Sequence, residues 1–485
     1  MRFEAVEEFV DKYEKFIVIG LLLIGALVRI QYLFQESVWN DETVYMWLSD
    51  EVKENPLFLF SRWPAYHSYS HLFVSLSAVL GIFTNSFYAT RIVSLFFALL
   101  SVLAVYYLGR ETMGKIEGAS AALIMALNGL HIFFSDKSLL EAPITAMYAV
   151  LLIAIMRFNP EDVKSAVWLG LATVLCFLTK TSGFLAIPMA GLALLVKYPE
   201  PKKWLKNPAF WVLGAALAVS AGMYFGNNYL HFGNFMLGDT AALSQTVVFG
   251  GSRTFYLENA GALYSWPLFA LGLLGLYFSF TKGKELRSAS VMFLFHTFFF
   301  SFLVGEKVPR YGLPTVPLIA LLAVYAVKVV LDKLKLPNFI TGFTFLLGIS
   351  SLVYGMTLLP QKAFTYTGFQ ELGTVAGKLD AQNNYSVIYA QSTRQIRAFS
   401  GINYESMEGK IRRLPDNLTE FANQTNILLQ IDIWEYTGPE WVYPLTQEKL
   451  NRIINNNFTL LHSVYRDYPT QEGLRSVPVG LLLAK

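Results

Sequence analysis

Cysteine occurs once in 485 residues, at Cys176, which excludes a disulfide framework and any cysteine-ligated zinc site. Charge is scarce as well. Asp, Glu, Lys and Arg make up 15% of the chain, against about 25% in a soluble globular protein, so a water-facing surface of this size could not be covered. The same scarcity excludes a disordered chain, which needs charge to stay solvated. A net charge of +3 is too small to suggest nucleic acid as a partner. Internal repeats, low-complexity tracts and matched pairs of broken transporter-type helices are all missing. What is abundant is apolar and aromatic sequence, at 54% and 15% of residues, and this reads as a polytopic α-helical membrane protein.

The first fifteen residues mix Arg2, Lys12 and Lys15 with five acids, unlike the basic start of a cleavable signal peptide. The apolar run after them, 16–34, is long enough to cross a hydrocarbon core of about 30 Å and is expected to stay uncleaved. Further spans are expected at 89–108, 118–134, 141–157, 165–179, 183–197, 208–226, 261–280, 289–304, 314–331 and 338–358, eleven in all. The short apolar stretch 69–83 reads either as a twelfth span or as a helix lying at the interface. Basic residues decide between the two. If 69–83 does not cross, one set of loops and flanks holds seventeen Lys and Arg and the opposite set seven. If it crosses, every later loop flips and the bias disappears. The expectation is therefore a cytoplasmic N-terminus, a large first outer loop at 35–88 with 69–83 as an interfacial helix, and a transmembrane domain over 1–358.

Beyond 358 the character changes. Residues 361–485 hold twelve basic and twelve acidic side chains and no run long enough to span. Short β-rich runs at 386–390, 427–433, 459–465 and 479–483 predict a small α/β domain over 359–485, placed outside by an odd number of crossings. Four Asn-x-Ser/Thr sequons, at Asn384, Asn417, Asn423 and Asn457, would be usable there.

On this topology the unusual polar residues gather at the outer face. Trp39-Asn40-Asp41-Glu42 follows the first span. Ser135-Asp136-Lys137-Ser138-Leu139-Leu140-Glu141 forms a short second outer loop with Pro143 just beyond, and Lys180-Thr181-Ser182 a third. Glu306-Lys307-Val308-Pro309-Arg310-Tyr311 precedes a Pro-rich helix. The order runs from a first helix ending in Arg29, through Trp39–Glu42, an Arg91-headed second span, Leu140-Glu141-Ala142-Pro143 and Thr179-Lys180, to Lys307–Tyr311. It resembles the GT-C superfamily of membrane glycosyltransferases, above all the group containing protein O-mannosyltransferases and the aminoarabinose transferase of lipid A. The resemblance covers about residues 15–330.

The resemblance implies transfer of a sugar, mannose by default, from a polyprenyl- or dolichyl-phosphate carrier to a protein, lipid or glycan acceptor outside the cytoplasm. Asp41 occupies the position of the family's first-loop aspartate, the general base that an acceptor hydroxyl needs. Glu42 is placed to orient the acceptor or stand in for part of that role. Glu141 stands where many relatives carry Asp. The leaving group is a lipid phosphate, so cations beside it stabilise developing charge. Arg310 is the first candidate because a guanidinium binds phosphate bidentately, with Lys180 and Lys307 as helpers and Tyr311 as a hydrogen-bond donor. No cofactor is required, although His67 and His71, four apart, would share a helix face and hold a divalent ion with a nearby acid.

Plainer readings stand beside these. An isolated Asp-Glu pair is usually a solvated loop feature, and cations at span ends snorkel to ordinary lipid phosphates. Glu141 would serve equally to cap the next helix. Asp136 and Lys137 read as solvated. The two histidines, with Trp39, Trp47, Trp63 and Tyr66, also suit an interfacial aromatic belt, and Cys176 suits packing. A transporter or flippase of lipid-linked glycans is the alternative function, and a non-catalytic scaffold subunit the third. The host membrane reads most simply as a prokaryotic plasma membrane.

Overall fold

The structure is a computed structural model and describes residues 3–33, 38–66, 69–204, 206–234, 251–284, 286–358, 368–402, 409–415, 424–432, 457–470 and 473–485. It divides into two compact units. One comprises Met1–Gln31 with Leu48–Leu358, the other Tyr32–Trp47 with Leu359–Lys485. The boundary after 358 coincides with the change of composition, but the segment carrying Asp41 and Glu42 groups with the C-terminal part.

The first unit is helical, with helix at each of the eleven expected span positions. Among the described residues, three helices taken one at a time are long and apolar enough to cross a membrane: Ser86–Thr112, Pro208–His231 and Pro309–Leu334. A fourth is added if Lys115–Leu127 and Gly129–Ser135, bent by 60°, count as one span. Local chemistry explains the boundaries. Asn85 accepts from the Tyr88 amide at 3.0 Å to start Ser86–Thr112, as an N-cap does. Asn207 accepts from Ala209 at 2.9 Å at the start of Pro208–Phe232, which ends at left-handed Gly233.

The 60° bend falls at Asn128, and its side chain repairs the backbone that the break frees. Its Oδ1 accepts from the His131 amide to restart the helix, and its Nδ2 donates to Leu263 O and Ser351 Oγ, both at 3.0 Å. Broken helices persist in apolar surroundings only where neighbours satisfy the backbone in this way.

Small residues bring helices close. A Cβ added at Gly275, in Trp266–Thr281, would meet Leu322 O of Val316–Leu334 at 1.8 Å. One added at Gly118 would meet the backbone of Arg110 and Tyr106 at 2.7 Å. Such contacts replace the hydrophobic drive that lipid does not provide.

The region 35–88 is largely helical rather than an open loop, containing Asn40–Glu54, Arg62–Tyr66 and His71–Leu80. His71–Leu80 has ten residues, about 15 Å of rise and half a hydrocarbon core. It is too short to span.

Among the described residues of the second unit, five strands form one mixed sheet: β1 Val387–Ala390, β2 Ile411–Arg413, β3 Ile427–Asp432, β4 Thr459–Thr470 and β5 Gly473–Ala484. The spatial order is β2-β1-β3-β5-β4, parallel for β2-β1-β3 and antiparallel for β3-β5-β4. Helices Phe369–Asn383 and Thr393–Ser400 place Leu372, Ala376 and Ile396 against Ile388, Leu428 and Leu482. Of the four sequons, Asn384 and Asn457 are exposed positive-φ turn residues, while Asn417 and Asn423 lie outside the described residues.

Candidate active site

Three chain segments in the first unit bring opposite charges together. Leu140 ends a turn, and Glu141 opens the helix Glu141–Arg157, with Pro143 in the first turn, where a missing N–H costs nothing. Lys180 is extended immediately after Val163–Thr179. It then turns into Thr181–Leu185, where Gly183 packs so tightly that a Cβ would meet Cys176 O at 1.8 Å. Val308 is extended, as a residue before proline prefers, and delivers Arg310 and Tyr311 on the short helix Pro309–Thr315.

The Lys180 ammonium donates to Glu141 Oε1 at 2.6 Å, and Arg310 Nε lies 3.6 Å from the same oxygen. Both cations also face one ring. Lys180 Nζ is 5.3 Å and Arg310 Cζ 5.8 Å from the centroid of Tyr311, within cation–π range. The Glu141 side chain is 4% exposed, Lys180 14% and Arg310 24%. The carboxylate is thus the enclosed centre and the cations are its partly open rim. Together these three groups carry one more positive than negative charge, which suits an incoming anion.

A supporting layer fixes the ring. The Tyr311 hydroxyl donates to Glu306 Oε2 at 2.7 Å, and His296 Nε2 donates to Tyr311 O at 2.8 Å. Tyr148 meets His296 edge-on at 5.8 Å and donates to Ser182 O at 2.7 Å, tying the Lys180 turn to the same layer. Glu306, His296 and Tyr148 were not legible as site residues, because each acts only through a contact distant in sequence.

Lys307 has a different placement from its neighbour Arg310. It is buried, and its ammonium donates to Phe300 O, Ser301 O and Val304 O at 2.5, 2.8 and 2.5 Å, closing the end of Arg287–Phe302. Burial lowers its pKa, as does the nearby Arg253 charge. All three N–H bonds are occupied by carbonyls.

Asp136 and Lys137, read above as solvated, are instead buried. Lys137 Nζ bonds Asp136 Oδ1 at 2.8 Å and Phe133 O at 2.7 Å, and lies 3.7 Å above the Phe133 ring. Arg29 is fully buried too, bonding Ser135 Oγ at 2.8 Å, His131 Nδ1 at 2.9 Å and Ala126 O at 2.9 Å. A cation inside an apolar run was its visible signal.

In the second unit, Asp41 and Glu42 stand in the first turn of Asn40–Glu54. Glu42 is fully buried and accepts from the Trp39 amide at 2.8 Å, one half of a capping box. Asp41, beside it, is half-buried. In the first unit, His71 is half-buried, and its Nδ1 has no hydrogen-bond partner among the described residues. Burial holds its pKa below the usual value. His67 lies outside the described residues. Among the described residues no three His, Cys, Asp or Glu cluster as metal ligands would.

Residues 72–224 match the sequence model of the dolichyl-phosphate-mannose-protein mannosyltransferase family. No protein of curated function matches the chain by sequence. Solved structures match over nearly its whole length. ArnT from Cupriavidus metallidurans bound to undecaprenyl phosphate is 12% identical with a TM-score of 0.63, covering 97% of this chain and 98% of its own. The Archaeoglobus fulgidus oligosaccharyltransferase, in complex with Zn and sulfate, is 15% identical with a TM-score of 0.56, covering 96% and 73%. The arabinofuranosyltransferase AftD from Mycobacteria is 14% identical with a TM-score of 0.53, covering 96% and 39%. The family match covers about a third of the chain, and the solved structures, at 12–15% identity, show that the chain shares their fold.

Proposed function

We propose that the chain is a GT-C-type membrane glycosyltransferase that moves a single sugar, mannose by default, from a polyprenyl- or dolichyl-phosphate carrier to an acceptor on the extracytoplasmic face. The observation that carries the reading is the Lys180–Glu141–Arg310 cluster, two partly open cations held on one enclosed carboxylate. Two similar structures support the donor class: ArnT is bound to undecaprenyl phosphate, and the archaeal oligosaccharyltransferase to a dolichol-phosphate.

The chemistry is a single displacement. Asp41 takes the proton of an acceptor hydroxyl or amine as that atom forms its bond to the sugar C1. The bond between C1 and the phosphate oxygen breaks on the opposite side, so the anomeric centre inverts. The electron pair leaves with the lipid phosphate, whose charge Arg310 and Lys180 stabilise. Glu141 holds these two cations in register before the phosphate arrives. Tyr311, with its hydroxyl committed to Glu306, supplies a ring under both cations. Glu42 sets the helix start on which Asp41 is carried. Lys307 supports the loop before Arg310 through the end of Arg287–Phe302.

The topology belongs to the same proposal: eleven spans, a cytoplasmic N-terminus and an outer C-terminal α/β domain. The basic-residue bias and the shortness of His71–Leu80 support it.

The test is transfer of labelled sugar from dolichyl-phosphate mannose, and then from other lipid-phosphate sugars, into native membranes. Wild-type protein is compared with Asp41→Asn at equal folded amounts. Transfer by the wild type and a loss of about a hundredfold or more in the variant is the expected result, the usual scale for a general base. Equal rates would remove Asp41 from the role. A negative panel for the wild type would turn the reading toward transport.

A further inference from the structure

The helix Glu141–Arg157 joins two polar regions. Its first residue is the centre of the cluster above, and its last turn lines a cavity of about 300 Å³ at the other end of the bundle. Here the C-terminal ends of Ser86–Thr112, Glu141–Arg157 and Ala186–Lys197 meet the start of Arg287–Phe302. The wall includes Lys197, Lys284, Arg287, Glu111, Met156 and Val196.

The cations of this wall are positioned without being neutralised. Lys197 donates to the carbonyls of Ile155, Met156 and Phe158 at 3.2, 2.6 and 2.8 Å. Arg287 donates through Nε and one Nη to Ser279 O and Phe280 O at 3.1 and 3.2 Å. Carbonyls fix a cation in place but leave its full charge. Lys284 is exposed and pairs with no carboxylate among the described residues. The one acid of the wall, Glu111, is already bound by Arg157 at 2.7 Å and by the Tyr107 hydroxyl at 2.5 Å. Three cations therefore surround a half-open space, and among the described residues no carboxylate pairs with them. Exposed apolar side chains lie on helices that meet these cations: Leu192 and Leu195 on Ala186–Lys197, and Phe280, whose carbonyl Arg287 bonds, on Trp266–Thr281, are about two-fifths exposed.

We propose that this cavity binds the phosphate of an anionic phospholipid, with Lys284 and Arg287 on the phosphate, Lys197 supplying fixed charge behind it and the acyl chains along these apolar side chains. Basic pockets between spanning helices at headgroup depth have the chemistry to take such a ligand. A lipid and a free phosphate share the recognised group. The exposed apolar side chains favour the lipid. The proposal rests on the chain spanning a membrane and not on the sugar-transfer reaction, so each can fail alone.

The test uses full-length protein, delipidated in detergent, with binding of phosphatidylglycerol and phosphatidylcholine followed by native mass spectrometry. Lys284→Gln and the double variant Lys284→Gln/Arg287→Gln are compared with a control carrying Lys202→Gln and Lys203→Gln, two exposed lysines outside the cavity. Phosphatidylglycerol is expected to bind about tenfold more tightly than phosphatidylcholine, and to lose about that factor in the double variant, the scale of a charge-assisted hydrogen bond. Lys284→Gln, which breaks no bond among the described residues, is expected to lose about half of that effect on a logarithmic scale, and the control nothing. An equal loss in the control would reduce the effect to diffuse surface charge and overturn the site. So would equal affinity for the two lipids. Full displacement of the lipid by millimolar inorganic phosphate would assign the cavity to free phosphate and overturn the lipid form.

Discussion

At the scale of single residues, the cluster predicts opposite signs for two adjacent substitutions. Glu141 occupies the cations that a phosphate must claim, so Glu141→Gln removes a competitor while keeping the shape of the helix start. Lipid phosphate without sugar, the leaving product, should inhibit this variant several-fold more strongly, since an ionic hydrogen bond is worth about 1.5–3 kcal/mol and only part of it is released. Lys180→Met removes a phosphate partner and should weaken the same inhibition about tenfold or more. Inhibition constants for the two variants in the transfer assay decide the matter: weakening in both would make Glu141 a positioning group alone.

Lys307 gives a contrasting prediction. Its ammonium satisfies three carbonyls in a buried setting, so Lys307→Met leaves those acceptors unpaired at about 1–3 kcal/mol. A lower thermal midpoint in detergent with unchanged lipid-phosphate inhibition is expected. Weakened inhibition at unchanged stability would return Lys307 to the phosphate site. The two lysines show how far the sequence could be read. Glu141, Lys180 and Arg310 stood out as charges at span ends beside Pro and Gly turns, and the structure brings all three together. Lys307 stood out by the same signal, yet a lysine three residues before Arg310 can reach back to a helix end, and nothing in the string of letters distinguishes the two uses. Asp136 and Lys137 looked solvated because adjacent opposite charges usually are. Their burial depends on Lys137 folding back over Phe133.

At the scale of elements, apolar run length located helices well and described their irregularity poorly. The span expected at 118–134 is broken at Asn128, an ordinary polar residue in the sequence whose importance comes from Leu263 and Ser351, more than 130 positions away. In the C-terminal part, β1 and β3 were visible as apolar β-branched runs buried on both faces. The three-residue β2 was too short to register. β4 and β5 extend past their apolar cores through residues such as Arg466, Asp467 and Arg475, which lie in the β4–β5 ladder.

Close helix contacts are testable here. Gly275→Ala places a methyl group against Leu322 O across the Trp266–Thr281 and Val316–Leu334 interface and should cost about 1–3 kcal/mol by overpacking. Gly191→Ala, on Ala186–Lys197 with nothing within 4 Å of the added carbon, should be neutral or slightly stabilising, since alanine is the better helix former. Thermal unfolding of both in one detergent gives the comparison. A neutral Gly275→Ala would mean that those two helices pack less closely than described.

At the scale of the whole molecule, the proposed reaction needs its acceptor outside the cytoplasm, and the proposed orientation of the chain rests on the count of basic residues. The chain is suited to a direct check because its only cysteine is buried, with Sγ 3.4 Å from Met147 O, and contributes little background to thiol labelling. In a Cys176→Ala background, Lys378→Cys places a thiol on the exposed face of Phe369–Asn383, and Lys202→Cys places one on exposed Pro201–Trp204. A membrane-impermeant maleimide should label the first in intact cells and the second only after permeabilisation. The converse pattern would put Lys202 and its neighbours outside, reverse the basic-residue bias and move Glu141, Lys180 and Arg310 to the cytoplasmic face. A donor flipped to the outer leaflet could not then reach them, so the proposed reaction would fail together with the topology, while the cavity at Lys284 and Arg287 would keep its phosphate chemistry and only change leaflet.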